Sequence, residues 1–258
     1  MSMKKKWLVV MLVSFLSVFV LFGCLPTQSE EEPEEPPEEE AVLLKAYLPE
    51  STPATATTIY LVGSYNNFEF TSAATSEIKV EGEQMYAEFD ISTLFDDEDY
   101  PVFYKYTYDD SWDFQEADPN GNDFGYKNRR LDVAPESDVV EVVLNWKGMD
   151  PIDYTDLQQE VTVNFIVHVP EGTEGDAIYM KRLNGDWNSS ITLNKDADTG
   201  YYTTEATTTS YTVREYKFTL SEDWTTPEGN ADGGYLENRI IILTDDATIV
   251  NVVESWAQ

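Results

Sequence analysis

Residues 216–239 read YKFTLSEDWTTPEGNADGGYLENR, and residues 104–129 read YKYTYDDSWDFQEADPNGNDFGYKNR. Both stretches start with an aromatic-Lys-aromatic-Thr segment, carry a tryptophan with a glutamate four residues later, and end in Asn-Arg. Self-similarity at a fixed period indicates a repeated structural unit. The sequence therefore predicts two copies of one module.

The similarity extends to both sides of these stretches. Each copy begins with a strand-like run that ends in Pro-Glu, at Pro49 and at Pro170, and continues through an Ile-Tyr-aliphatic segment. Each copy closes on an aliphatic run that ends in tryptophan, at Trp146 and at Trp256. Two copies of roughly 110 residues match the common domain size, and each is long enough to bury its own core.

Short runs rich in Thr, Tyr and Val alternate with Gly/Asn/Asp turn signals, which is typical of strands. Residues 161–165 alternate clearly between apolar and polar positions, and no long stretch has a helical period. We therefore predict an all-β chain with two tandem immunoglobulin-like β-sandwich modules, at residues 41–148 and 160–258. The predicted strands are 42–48, 59–63, 84–91, 102–108, 139–146, 161–169, 177–180, 201–207, 211–220, 240–243 and 248–253.

The charge balance narrows the class of partner. The chain has 16 Lys and Arg against 49 Asp and Glu, for a formal net charge of −33. Such a surface repels phosphate backbones and anionic lipid, which disfavours nucleic acid and requires any membrane attachment to be covalent or inserted. A neutral ligand is the simplest partner, although solubility alone also accounts for the acidity.

Catalytic and metal-binding motifs have few residues to draw on. The chain has one cysteine, Cys24, and one histidine, His168, so neither an internal disulfide nor a Cys/His metal site is expected. Glycoside hydrolysis needs two carboxylates across a cleft, for which two small modules give no obvious place. We expect a binding protein rather than an enzyme, with no catalytic residue, metal or cofactor.

Residues 1–24 are predicted to be an export signal, with a lysine run at 4–6 and an apolar run at 7–22. A signal that ends in a lone cysteine resembles the signal of bacterial lipoproteins, which implies lipid attachment at Cys24 and a location in the cell envelope. The apolar run of about 16 residues is shorter than the ~20 that span a bilayer, which disfavours an uncleaved signal anchor.

Residues 25–40 form an acidic Glu/Pro-rich linker. Like charges repel and proline stiffens the chain, so this linker is predicted to be extended and disordered. Its expected role is to hold the folded modules away from the membrane.

Trp112 and Trp224 lie in polar loops. A neutral sugar offers a flat apolar face and a rim of hydroxyls, so proteins bind it with exposed aromatic rings and nearby polar side chains. Trp112 and Trp224 each follow a strand and enter a Gly/Asn-rich loop, which favours a role as surface ligands. A core position is the alternative, since tryptophan is mostly buried. Trp146 and Trp256 are predicted to be core or cap residues.

The ordered motifs resemble the starch-binding modules of carbohydrate-binding module family 20. They are still more similar to the related glucan-binding modules of bacterial amylases and pullulanases. The shared order is a Gly/Asn-x-aromatic loop, a Tyr-Lys-aromatic strand, a tryptophan followed by an acidic residue, and Asn-Arg. The resemblance implies two stacking aromatic residues, a hydroxyl-binding lysine and an asparagine in each module. These residues are Trp187, Lys217, Trp224 and Asn238 in the second module, and Phe68, Lys105, Trp112 and Asn128 in the first.

The resemblance implies a surface-anchored lipoprotein that binds an α-glucan such as starch, glycogen or maltodextrin. Phe68 stands where the second module has Trp187, which implies a weaker first site. The alternative is an envelope lipoprotein whose sandwiches contact another protein. Other envelope or glycan-degrading proteins are further expected partners.

Overall fold

The computed structural model describes residues 41–257, and these form an all-β structure, which confirms the predicted fold class. The signal peptide with Cys24 and the linker at 25–40 lie outside the described residues. Within residues 41–257, no helix has both the length and the apolar character needed to cross a membrane.

The first copy contributes ten strands. They are β1 (Leu43–Tyr47), β2 (Thr58–Gly63), β3 (Ala74–Glu77), β4 (Lys79–Glu81), β5 (Gln84–Asp90), β6 (Val102–Thr107), β7 (Glu116–Ala117), β8 (Arg129–Leu131), β9 (Val139–Val142) and β10 (Asn145–Trp146). Between them lie a short helix α1 (Ile91–Leu94) and 3-10 turns at Ser64–Asn66, Phe70–Ser72, Asp97–Asp99 and Trp112–Phe114.

The second copy repeats this order with nine strands. They are β11 (Glu160–His168), β12 (Ala177–Lys181), β13 (Ser190–Lys195), β14 (Tyr202–Thr209), β15 (Arg214–Thr219), β16 (Glu228–Gly229), β17 (Arg239–Ile241), β18 (Ala247–Val252) and β19 (Ser255–Trp256).

Each copy is a sandwich whose first strand pairs antiparallel on one side and parallel with a late strand on the other. In the first copy, the sheets β4-β5-β1-β9 and β3-β2-β6-β8 enclose one apolar core. Along β11, residues Val161, Val163, Phe165 and Val167 are buried while their neighbours are more exposed, as the alternating sequence predicts.

The two copies differ in how their layers connect. In the second copy, β13 pairs with both β12 and β14, so one continuous sheet runs β17-β15-β12-β13-β14-β11-β18. In the first copy, the corresponding segment is interrupted at Ile78, and its halves β3 and β4 pair with different strands.

The tryptophan that closes each copy is held by the residues around the early Pro-Glu pair. The Trp146 indole N–H donates to the Thr52 hydroxyl at 3.0 Å, and that hydroxyl donates to the Pro49 carbonyl at 2.7 Å. Trp256 is bonded in the same way, through Thr173, to the Pro170 carbonyl. Trp146 is fully buried and Trp256 packs against the second core, which confirms their predicted core or cap position.

The Glu and Arg of the repeated motif form a buried ion pair in each copy. The Arg129 Nε lies 2.8 Å from Glu116, and the Arg239 Nη2 lies 2.7 Å from Glu228. Each glutamate also accepts a backbone N–H bond from the strand before it, from Tyr106 in β6 and from the equivalent residue in β15. Buried charges are stable only when their hydrogen bonds are satisfied. The pair therefore joins three strands of each module, β6, β7 and β8 in the first and β15, β16 and β17 in the second.

Beyond the glutamate of the motif, the buried arginine has a second carboxylate partner, which differs between the copies. Arg129 Nη1 lies 3.3 Å from Glu141, which belongs to the same module. The second copy has the neutral Asn251 at the corresponding position in β18, where it accepts from Arg239 Nη1 at 3.2 Å, and the same Nη1 lies 2.5 Å from the Asp132 carboxylate of the first copy. The second module therefore completes its buried ion pair with a carboxylate that the first module supplies.

An apolar cluster and further polar contacts extend this seam. Phe124, Val142 and Leu144 of the first copy pack with Ile242 of the second. Tyr154, from the segment between the copies, stacks on Tyr211 with ring centroids 5.3 Å apart and an angle of 14° between the planes. Every sheet draws its strands from one copy, yet contacts across the seam join the described residues into one compact unit.

We predict that Asp132→Asn lowers the free energy of unfolding by about 2–4 kcal/mol, because Arg239 loses one of its two buried carboxylate partners and buried Arg130 loses the carboxylate that lies 2.5 Å from its Nε. Urea denaturation followed by fluorescence measures this change. Asp97→Asn, at an exposed position in the first copy, is the matched control and should change little. Equal unfolding midpoints for the two variants would contradict the role assigned to Asp132.

Candidate functional site

Trp187 and Trp224 come together although they lie 37 residues apart in the sequence. Their ring centroids are 5.1 Å apart with an angle of 62° between the planes, and the Trp224 indole N–H donates to the Trp187 carbonyl at 2.9 Å. Trp187 lies in the loop from β12 to β13, and Trp224 lies in the loop from β15 to β16. Both side chains are half-buried.

Local hydrogen bonds fix the loops that carry this pair. The Asp186 carboxylate accepts the backbone N–H groups of Asn188 and Ser189, and the Asn184 amide donates to the Thr207 carbonyl at 2.6 Å. Trp224 has a φ of 67°, in the left-handed region that residues other than glycine seldom adopt. Such strain clusters at functional sites, since the surrounding structure has to maintain it.

Two cations lie against the rings of the tryptophan pair. The Arg182 guanidinium is 4.7 Å from the ring centroid of Trp187, and the Lys181 ammonium is 5.9 Å from that of Trp224. Lys181 is buried and donates to the Glu222 carbonyl at 2.6 Å. Cation–π contacts of this kind add to the hydrogen bonds that hold the indoles in place.

Lys217, expected to bind sugar hydroxyls, is only 5% exposed. Its ammonium donates to the Leu236 carbonyl and lies 4.6 Å from the centroid of the Tyr235 ring, and burial lowers the pKa of this lysine. These contacts hold the loop from β16 to β17 against β15. A direct contact of Lys217 with a ligand stays a prediction.

Asn238 is joined to the tryptophan pair through two charged side chains. Its amide donates to the Glu215 carboxylate at 3.1 Å, and Arg182 lies 3.1 Å from the same carboxylate. Because the Arg182 guanidinium also lies against Trp187, the asparagine and the first stacking residue belong to one connected surface.

In the first copy, Trp112 contacts two phenylalanines. Its ring centroid lies 6.3 Å from that of Phe68 and 4.9 Å from that of Phe70, with an angle of 62° in the second pair. Phe70 was not among the expected residues, although it follows Phe68 by two positions and begins a 3-10 turn. The structure makes it the nearer partner of Trp112.

The other two expected residues of the first copy have separate surroundings. Lys105 is buried, and its ammonium donates to the Gln115 side chain at 3.0 Å and to the Gly125 carbonyl at 2.6 Å. Burial lowers the pKa of this lysine as it does for Lys217. Asn128 lines a groove at the seam between the copies, and Asn238 lines the same groove.

The two aromatic sites are not equivalent. In the second copy, Lys181 on β12 pairs with Lys217 on β15, and Arg182 is the next residue after Lys181. In the first copy, the corresponding residue is Gly63, which the strand register places opposite Tyr104. A Cβ atom at Gly63 would lie 2.4 Å from the Phe103 carbonyl oxygen, so a side chain there is excluded. The first copy therefore has no counterpart of the arginine that lies against Trp187.

The site combines stacking surfaces with hydrogen-bonding side chains. Two inclined indoles present apolar faces, and amides, carboxylates and hydroxyls surround them, which suits a ligand with an apolar face and a polar rim. Over residues 41–257, no group of three or more His, Cys, Asp or Glu side chains is arranged to hold a metal ion.

No protein-family model and no curated protein matches the chain. Among solved structures, the chain is similar to CBMbc (family CBM26) of Eubacterium rectale Amy13K in complex with maltoheptaose, with 11% identity over 82% of this chain and 92% of that chain and a TM-score of 0.28. The minor pilin GBS52 of Streptococcus agalactiae is 11% identical over 83% and 95%, with a TM-score of 0.23.

The chain also has 9% identity to the Bacillus anthracis TIE protein, over 83% of this chain and 34% of that one, with a TM-score of 0.22. At these identities and TM-scores, the likenesses carry no argument about function. Membership of family 20 in particular stays a prediction.

We predict that Lys217→Met lowers the free energy of unfolding by about 1–2 kcal/mol, because the Leu236 carbonyl loses its charged donor. Thermal unfolding followed by circular dichroism measures this loss. Lys195→Met, at an exposed position on β13, is the control. If both variants unfold at the same temperature, Lys217 does not hold the loop.

Proposed function

We propose that the chain binds α-glucan, such as starch, glycogen or maltodextrin, at the Trp187–Trp224 pair. The observation that carries this proposal is the meeting of two half-exposed indoles from separate loops, 5.1 Å apart at an angle of 62°. Inclined rings suit a curved chain of sugar rings better than a flat ribbon, which coplanar rings would match. Aromatic rings supply large contact area at a small cost in conformational entropy.

The polar groups around the pair suit the hydroxyl rim of a neutral sugar. Asp186 and Asn188 are exposed beside Trp187, and Arg182 brings a guanidinium to the same ring. Charged acceptors and donors form stronger hydrogen bonds than neutral ones. The net charge of −33 opposes an anionic polysaccharide and leaves a neutral one unaffected.

The first copy supplies a second, weaker aromatic site at Phe68, Phe70 and Trp112. Phenylalanine offers less stacking area than tryptophan, and Gly63 leaves this site without the arginine of the second copy. Two sites on one compact unit raise the affinity for a polymer, because the second binding event is intramolecular.

The proposed setting is the bacterial cell envelope. The signal-like residues 1–24 favour lipid attachment at Cys24, and the acidic linker at 25–40 would hold the modules away from the membrane. In this setting the protein captures α-glucan for neighbouring envelope or glycan-degrading proteins and has no catalytic role of its own.

Trp187→Ala and Trp224→Ala are each expected to reduce retention on insoluble starch at least ten-fold, because each removes one of the two stacking surfaces. Sedimentation with granular starch measures retention. Tyr201→Ala removes an aromatic ring that lies on the same module and stacks on His168, so it serves as the control. Full retention by both tryptophan variants would contradict glucan binding at this pair and favour the alternative in which the sandwiches contact another protein.

Trp112→Ala is expected to weaken binding to soluble starch but not to a short maltooligosaccharide, since the short ligand occupies the second-copy site alone. Titration calorimetry with both ligands gives the comparison. An equal effect on both ligands, or none on either, would show that the first copy does not contribute a cooperating site.

A further inference from the structure

The groove that Asn128 and Asn238 share lies beside the most exposed aromatic ring of the second module. The groove has a volume of about 470 Å³ and receives residues from both copies. The residues that line it include Phe103, Asn128, Asp232, Tyr235, Glu237 and Asn238. Tyr235 is 71% exposed.

Tyr235 and the tryptophan pair lie against neighbouring lysines of one sheet. Lys181 on β12 and Lys217 on β15 are direct cross-strand partners, and such residues lie about 5 Å apart on one face of a sheet. The ammonium of Lys181 lies against the ring of Trp224, and that of Lys217 lies against the ring of Tyr235. The two aromatic rings therefore cover neighbouring positions on the same sheet.

A line of polar contacts connects the tryptophan pair to the groove. Arg182 lies against Trp187 and pairs with Glu215, which accepts the amide N–H of Asn238. Lys127 of the first copy lies 3.2 Å from the same carboxylate. This line begins at the pair, ends at the groove wall and crosses the seam between the modules.

We propose that an α-glucan chain stacked on Trp187 and Trp224 continues past Asn238 into the inter-module groove, where Tyr235 provides a further stacking surface. One face of the Tyr235 ring lies near the Lys217 ammonium, and its high exposure leaves ring surface open to a sugar. The amides of Asn128 and Asn238 and the carboxylates of Asp232 and Glu237 meet the hydroxyl rim. The inference rests on the proposed function and makes both modules parts of one binding surface.

The test is calorimetric titration of the whole chain with maltotriose, which covers the tryptophan pair, and with maltoheptaose, which is long enough to reach the groove. Tyr235→Ala is expected to weaken maltoheptaose binding about five-fold, as the loss of one stacking contact does, and to leave maltotriose binding unchanged. Tyr126→Ala is the matched control, since Tyr126 lies in the equivalent loop of the first copy and is 89% exposed.

The outcomes separate this inference from the function on which it rests. If Tyr235→Ala leaves the binding of both sugars unchanged, or weakens both equally, the extension into the groove is overturned and the tryptophan site is retained. A failure of the unaltered chain to bind either sugar overturns both proposals. Circular dichroism of the Tyr235 variant confirms that the exposed substitution preserves the fold.

Discussion

The buried ion pair between Arg239 and Glu228 is the interaction on which the rest of the second module depends. Glu228 directly follows the loop that carries Trp224, and Arg239 begins β17. The pair therefore fixes both ends of the loop between β16 and β17, which lines the inter-module groove. The arginine reaches full pairing only with Asp132 of the first copy. Removing a partner from a buried ion pair leaves an uncompensated charge, which is why one contact links loop geometry to the association of the modules.

The duplication retains the framework and changes the site. Both copies keep the buried Glu–Arg pair and the Trp–Thr–Pro hydrogen bonds, which hold the sandwich together. They differ beside the rings, where Arg182 of the second copy corresponds to Gly63 of the first, and Glu215, which pairs with Arg182, corresponds to Phe103. This pattern is expected if the repeated residues maintain the fold and the divergent ones distinguish a stronger site from a weaker one.

The fold class was predictable because apolar alternation and turn residues recur along the chain, as in β11. The strand β3 was missed because its sequence, ATSE, contains no large apolar residue, and β13, SITLNK, was missed because its alternation extends over Ile191 and Leu193 alone. The order of the motifs predicted that Trp187 and Trp224 lie in site loops, and the structure brings them together. The order of the motifs could not predict that Lys217 is buried, or that Asp132 pairs with an arginine 107 residues away, because both depend on how loops and modules pack.

On the proposed function, this acidic pair of sandwiches presents a surface for a neutral α-glucan. Affinity electrophoresis of residues 41–258 in native gels tests it most directly, with soluble starch in one gel and soluble cellulose and xylan derivatives in the others. We expect starch alone to retard the protein, because the inclined tryptophan pair suits a curved chain. Unchanged mobility in every gel would contradict the proposed function and indicate that the aromatic clusters serve the architecture or a protein partner.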